Sequence, residues 1–153
     1  MGKYVKKYRR GSRDKYSVEQ QAGLVQVSAS GQVNIQVVPN TSIQGMRKVK
    51  HLTVSMAAQE SGASTDLLFW ALVYVPQGTN PSAISLSGGT GMYEPNQFVM
   101  NCGVFDFSAG PLRVFSPISR NLNSGDSIYL LIANPSSVSF NAYYVVRYAV
   151  TLQ

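Results

Sequence analysis

From Tyr16 onward the chain is written largely in period two. In QVNIQVV at 32–38, Val33, Ile35 and Val37 alternate with Gln32, Asn34 and Gln36. An extended backbone points successive side chains to opposite sides, so this pattern predicts a strand with one dry and one wet face. GLVQVS precedes it across Ala29, Ser30 and Gly31 and predicts a hairpin partner. Runs rich in β-branched and aromatic residues follow at 48–58, 67–75, 98–107, 112–118, 127–133 and 140–152, for a total of eight predicted strands. The stretches between them (PNTSIQG, QESGAST, PQGTNPSAISLSGGTG, SAGP, NLNSGD and NPSSVS) are turn-forming, and nothing in this part of the chain holds a helical period for long. The loops 77–92 and 134–139, with so little to bury, are expected on exposed or intersubunit surfaces.

Two runs depart from simple alternation. LLFWALVYV at 67–75 and the C-terminal AYYVVRYAVTL carry large side chains at both parities. Both faces of such strands should be covered, one by the sandwich core and the other by a neighbouring subunit. With 153 residues and 44% hydrophobic content, the chain can bury one good core and is too short for two ordinary domains. The predicted fold is all-β: a single eight-stranded jelly-roll β-sandwich, residues 17–153, preceded by a short basic N-terminal arm, residues 1–16.

Charge changes the picture at that arm. Residues 1–15 hold seven of the thirteen Lys and Arg against the single Asp14, a net of +6, whereas from Tyr16 onward six basic and six acidic residues cancel. A neutral body with a basic arm suits a body with a geometric task and an arm that holds a polyanion. Charged residues are only 13% of the chain, about half the usual share, and surfaces so poor in charge tend to be covered by other protein. The longest apolar run, 67–75, is too short to cross a bilayer as a helix, and the N-terminus lacks the apolar core of a signal peptide. The expectation is a protein with no membrane partner.

Catalysis has little support in the residues. His51 is the only histidine, which excludes a multi-histidine metal site, and RKVKHLTV reads as a basic strand face. Cys102 is the only cysteine, so no internal disulfide can form, and its mid-strand place predicts a buried inert thiol. SLSGGTGMYEP at 85–95 lacks the Lys-Ser/Thr ending of a phosphate loop. Asp106, Asp126, Glu60 and Glu94 are scattered singly near turns. No catalytic residue, metal or cofactor is expected.

The arm is the stretch whose residue types specify a partner. Lys3, Lys6, Lys7, Arg9, Arg10, Arg13 and Lys15 can neutralise phosphates without reading sequence, and Tyr4, Tyr8 and Tyr16 offer flat rings on which unpaired bases stack. Single-stranded nucleic acid suits this mixture. A helix would gather Tyr4, Val5 and Tyr8 on one side, whereas Gly2, Gly11 and the charge density favour a segment that orders on its partner. The alternative role is a solvated tail for solubility or nuclear import. Arg47, Lys48 and Lys50 would extend the positive surface, or else guard an edge strand.

The order of basic arm, KVKHLTVSMA, LLFWALVYVPQGTNP, MYEPNQFVMNCGVF, SRNLNSGDSIYLLIANP and YYVVRYAVTLQ resembles the capsid proteins of small circular single-stranded DNA viruses that encode a replication initiator, the circovirus-like group. The likeness covers nearly the whole chain, and YVPQG, YEPNQ and RNLNSGDSI are its most specific parts. It implies a jelly roll that assembles with itself into a closed icosahedral shell of about sixty copies (T=1), with the arm's cations on a single-stranded DNA genome. The resemblance further implies a virion location, passage through the host nucleus and an unidentified host receptor. A satellite-virus-like RNA capsid has the same parts. From a different class, a trimeric jelly-roll ligand or carbohydrate-binding module remains, although it would leave the basic arm without a task.

Overall fold

Strands form close to where the alternation predicts them, but their hydrogen-bonding partners are distant in the chain. The structure, a computed structural model, describes residues 16–60, 67–79, 98–106 and 109–152. Its strands are β1 (Ser17–Val27), β2 (Gln32–Val38), β3 (Arg47–Glu60), β4 (Leu67–Val75), β5 (Phe98–Asp106), β6 (Leu112–Ser116), β7 (Arg120–Leu122), β8 (Ser127–Ala133) and β9 (Phe140–Leu152). One sheet runs β1-β9-β3-β6, with β7 also paired to β3, and the other runs β2-β8-β4-β5. Every pairing is antiparallel. Two antiparallel sheets whose order interleaves the early and late strands make a jelly-roll β-sandwich.

Two expectations are corrected here. The segment 23–28 and β2 do not form a hairpin, because β1 pairs with β9 and β2 with β8. The backbone between them bonds elsewhere: Ser30 N–H donates to Ser136 O at 2.8 Å, and Gly31 O accepts from Asn134 N–H at 2.8 Å. The buried Asn134 side chain completes the tie, its Nδ2 donating to Ser28 O at 3.0 Å and Val138 O at 2.7 Å. The second correction is the count, nine strands among the described residues where eight were expected. The run at 112–118 stops at Ser116, before Pro117, and β7 resumes the pairing with β3 one residue out of step. Proline has no N–H for a ladder. Opposite the break β3 bulges, with His51 at φ 55° and a register shift against β9 between Lys50 and Thr53.

The sheets enclose a core that includes Leu52, Leu68, Trp70, Leu122, Leu130 and Val146. The second face of β4 is also buried: Ala71, Val73 and Val75 cluster with Leu131 and Ala133 of β8. The chain itself therefore covers the face for which a neighbouring subunit was expected. On β9 the chain covers one face and leaves open the face for which a neighbouring subunit was expected. Tyr144, Val146 and Tyr148 are buried, but Tyr143 and Val145 on the opposite face are 45% and 38% exposed. Cys102 is exposed, not buried, because it lies on the outward side of β5, the edge strand, opposite Ala71. The loop at 134–139 is largely exposed around its buried Asn134 anchor, and residues 77–79 are exposed; 80–92 lie outside the described residues.

Asp126 organises the opposite end of the sandwich. Only 4% exposed, its carboxylate accepts from Tyr74 Oη at 2.7 Å, Asn123 N–H at 2.8 Å and Gln77 N–H at 3.0 Å. Gly125 makes the turn possible: its φ is +86°, and a Cβ there would lie 2.6 Å from the Gln77 side chain.

Two phenols tie this network and the first sheet to pH. Burial, then the hydrogen bond to Asp126 and its charge, push Tyr74 from 10.0 up to about 12. Tyr148 is also raised, by burial first and then by its 2.7 Å bond to Glu19. Both folded sites favour the neutral phenol, so their contribution is complete below the ordinary tyrosine value and is lost as pH climbs through the raised one. The melting temperature is expected to fall between about pH 10 and 12, and Tyr74→Phe should flatten that fall in a pH series of thermal melts.

Candidate nucleic-acid interface

β3 sorts the second basic cluster by parity. Val49, Leu52, Val54 and Met56 are buried in the core, which sends Lys48 and Lys50 to the outward face of the first sheet. Arg47 shares the parity of Val49 and turns the other way. Its Nη2 donates to Pro39 O at 2.9 Å and lies 3.5 Å from Asp126 O, so it braces the loop end of the sandwich and does not stand beside the two lysines. The arm residues Lys3, Tyr4, Lys6, Lys7, Tyr8, Arg9, Arg10, Arg13 and Lys15 lie outside the described residues. The chain enters the described part at Tyr16, and Lys50 Nζ sits 3.7 Å from the centre of the Tyr16 ring. Such a contact contributes about 0.5–1 kcal/mol at an exposed site. The arm therefore joins the body on the lysine-bearing face.

Sequence reasoning missed two further members of that face. Arg113 pairs with Ser55 and Arg147 with Thr53, both outward positions of β3, and both arginines are exposed. A register was needed to see this, since 113 and 147 are far from 48 and 50 in the chain. Phe115 stands opposite Thr53 on the same face, 54% exposed, with the His51 ring stacked 6.3 Å away. The remaining body cation, Arg120, caps the Tyr74 ring at 4.6 Å. Arg120 and Tyr74 line a shallow recess of about 430 Å³ with Lys48, Ser119 and Asn121.

All six Lys and Arg of the body thus sit on strands of the first sheet, and β2, β4, β5 and β8 carry none. Among the described residues no carboxylate occupies an outward position of the first sheet: Glu19 has core-side parity and bonds Tyr148, Glu60 holds a core-side register position opposite Phe140, and Asp126 is buried. Among the described residues no cluster of three or more His, Cys, Asp and Glu could hold a metal, and no helix is long and apolar enough to cross a membrane. The arrangement offers charge and flat apolar rings, and His51, on the β3 bulge, stands with a ring instead of an acid.

The class defined by this strand order is the jelly-roll β-sandwich. No protein-family model matches the chain, and no curated protein matches it. Among solved structures it is similar to a mitogen derived from Yersinia pseudotuberculosis, at 15% identity over 90% of this chain and 86% of that one, with a TM-score of 0.37. A chain from the disulfide-linked pili of Bacillus endospore appendages is similar at 11% identity over 91% and 92%, TM-score 0.39. A chain of turnip yellow mosaic virus is similar at 14% identity over 92% and 95%, TM-score 0.45.

Proposed function

We propose that this chain is a viral capsid protein that assembles with itself into a small icosahedral shell, most simply of about sixty copies, and packages single-stranded DNA through residues 1–15. The role is structural and not enzymatic. One observation carries the reading: the whole net charge of +6 resides in an arm that joins a charge-balanced jelly roll beside outward-facing lysines. Cations concentrated at one place on an otherwise neutral body serve a polyanion. The body adds support for assembly, because Leu24, Tyr143 and Val145 form an exposed apolar patch across β1 and β9, with Leu24 directly opposite Tyr143. Apolar side chains gathered on one sheet face suit contact with another copy.

Purified protein is expected to form closed particles by electron microscopy and light scattering, and nucleic acid extracted from them should be degraded by a single-strand DNase and resist RNase. A stable 16.6 kDa monomer across salt and concentration would refute the shell. Cargo degraded by RNase would point instead to the satellite-virus-like reading.

A further inference from the structure

We infer that the outward face of the sheet β1-β9-β3-β6, at the end where the arm joins it, is a second single-strand-binding surface, formed by Lys48, Lys50, Arg113 and Arg147 around the rings of Phe115 and Tyr16. The packaging role proposed above supplies the identity of the polyanion; the surface itself rests on the sheet register. Three strands and the residue before a fourth contribute: Tyr16 precedes β1, Arg147 is on β9, Lys48 and Lys50 are on β3, and Arg113 and Phe115 are on β6. The pairings Arg147 with Thr53 and Phe115 with Thr53 place arginine, threonine and phenylalanine in one row across the sheet. Arg113 lies one outward step from that row along β6, and Lys50 lies beyond the β3 bulge on the other side. Successive outward positions on a strand are about 6.8 Å apart, so the four cations make a compact field with no carboxylate at the intervening outward positions.

The chemistry favours an unpaired polynucleotide over other polyanions. Lys and Arg meet phosphates of any sequence. Phe115, more than half exposed with the His51 ring stacked beside it, presents a face that an unpaired base can cover, and neither a duplex nor a sulfated glycan has such a base to offer. Continuity with the arm strengthens the choice. The Lys50 contact holds Tyr16 at this edge of the field, so the basic segment 1–15 enters the described chain beside it. The other sheet has no Lys or Arg on any strand, so this asymmetry assigns the polynucleotide to one side of the sandwich.

The test uses the full chain and a thirty-nucleotide oligo(dT), titrated by fluorescence anisotropy over a series of salt concentrations. Each phosphate contact on a single strand contributes about 0.7 to the slope of log affinity against log salt. Arg113→Gln with Arg147→Gln should therefore lower the slope by up to about 1.4, and adding Lys48→Gln and Lys50→Gln should lower it by up to about 2.8. Phe115→Ala should weaken binding about 5- to 150-fold, the equivalent of about 1–3 kcal/mol for one stacked base, with the slope kept. All five positions are outward, so unchanged thermal melts should accompany these losses; a variant that melts early is replaced by Arg→Lys at 113 and 147, which should keep the slope. If the oligonucleotide binds but the substitutions leave the slope and the affinity unchanged, the arm alone holds the strand and this inference fails while the packaging role stands. If the oligonucleotide does not bind at all, the packaging role fails as well. Heparin and anionic vesicles serve as comparators. If heparin binding is as tight and as sensitive to the arginine pair, while Phe115→Ala changes nothing with oligo(dT), the face is a general anion surface and the single-strand assignment is overturned.

Discussion

Deleting residues 1–15 is expected to leave shells that close but are largely empty of nucleic acid. The deletion removes the entire net charge of +6. It removes none of the nine strands, the first of which begins at Ser17. The main core and the second cluster on β4 and β8 are untouched, and so is the exposed patch of Leu24, Tyr143 and Val145. Assembly driven by the body should therefore survive. Binding should not: the arm's seven cations could contribute up to about 5 units of salt slope if each met one phosphate. The ratio of absorbance at 260 and 280 nm on purified particles reads the cargo, and electron microscopy reads closure. Truncated particles that remain full would make the arm a targeting tail and move the genome contact onto the sheet face. Truncated protein that forms no particles would show that the arm belongs to assembly, and the separation of the two tasks would be lost.

The second large effect is expected at Asp126. Its carboxylate accepts three hydrogen bonds, from the turn at Asn123, from the chain leaving β4 at Gln77 and from the Tyr74 hydroxyl, and it is almost fully buried. Hydrogen bonds to a charged group contribute about 1.5–3 kcal/mol each in favourable cases, and their loss leaves donors stranded in a dry site. Asp126→Ala should destabilise the fold by about 3–5 kcal/mol, allowing for partial rehydration of an end that borders solvent. Asp126→Asn keeps the shape and can still accept at one oxygen, so it should cost less, about 1–2 kcal/mol. Chemical denaturation of both variants checks the order. Equal, small losses would mean that water replaces the network and that Gly125 and the neighbouring turn hold this end without it.

Much of the strand inventory was legible because alternation is a local property. β2, β4, β8 and β9 have the predicted boundaries, and β3 and β5 differ only at their ends. What failed depended on contacts across the sandwich. The expected hairpin of 23–28 with 32–38 looked sound from its turn residues, but β1 finds β9, where Ser17 pairs with Val150 and Val27 with Phe140. No short window contains such a pairing. The split of the 112–118 run was half visible in Pro117, yet the recovery of pairing at β7 required β3 to bulge at His51. Asp126 looked like one scattered carboxylate among several, since two of its three donors lie about fifty residues away. Cys102 was expected to be buried because strand centres usually are; the position of β5 at the sheet edge decided otherwise.

Period two and the spacing of turn residues were enough to make the chain an all-β sandwich, and the crowding of seven cations into fifteen residues was enough to set a basic arm apart from a charge-balanced body. Those are properties of neighbours along the backbone, so they are present in the sequence. Which face a cation occupies is a different matter. Arg47 and Lys48 are adjacent in the chain and point to opposite sides, one bracing the loops and the other joining the outward field. Arg113 and Arg147 reach that field only through the register of β3 with β6 and β9. Sheet order and register arise from packing two sheets over one core, and that packing alone brings the four cations together beside the root of the arm.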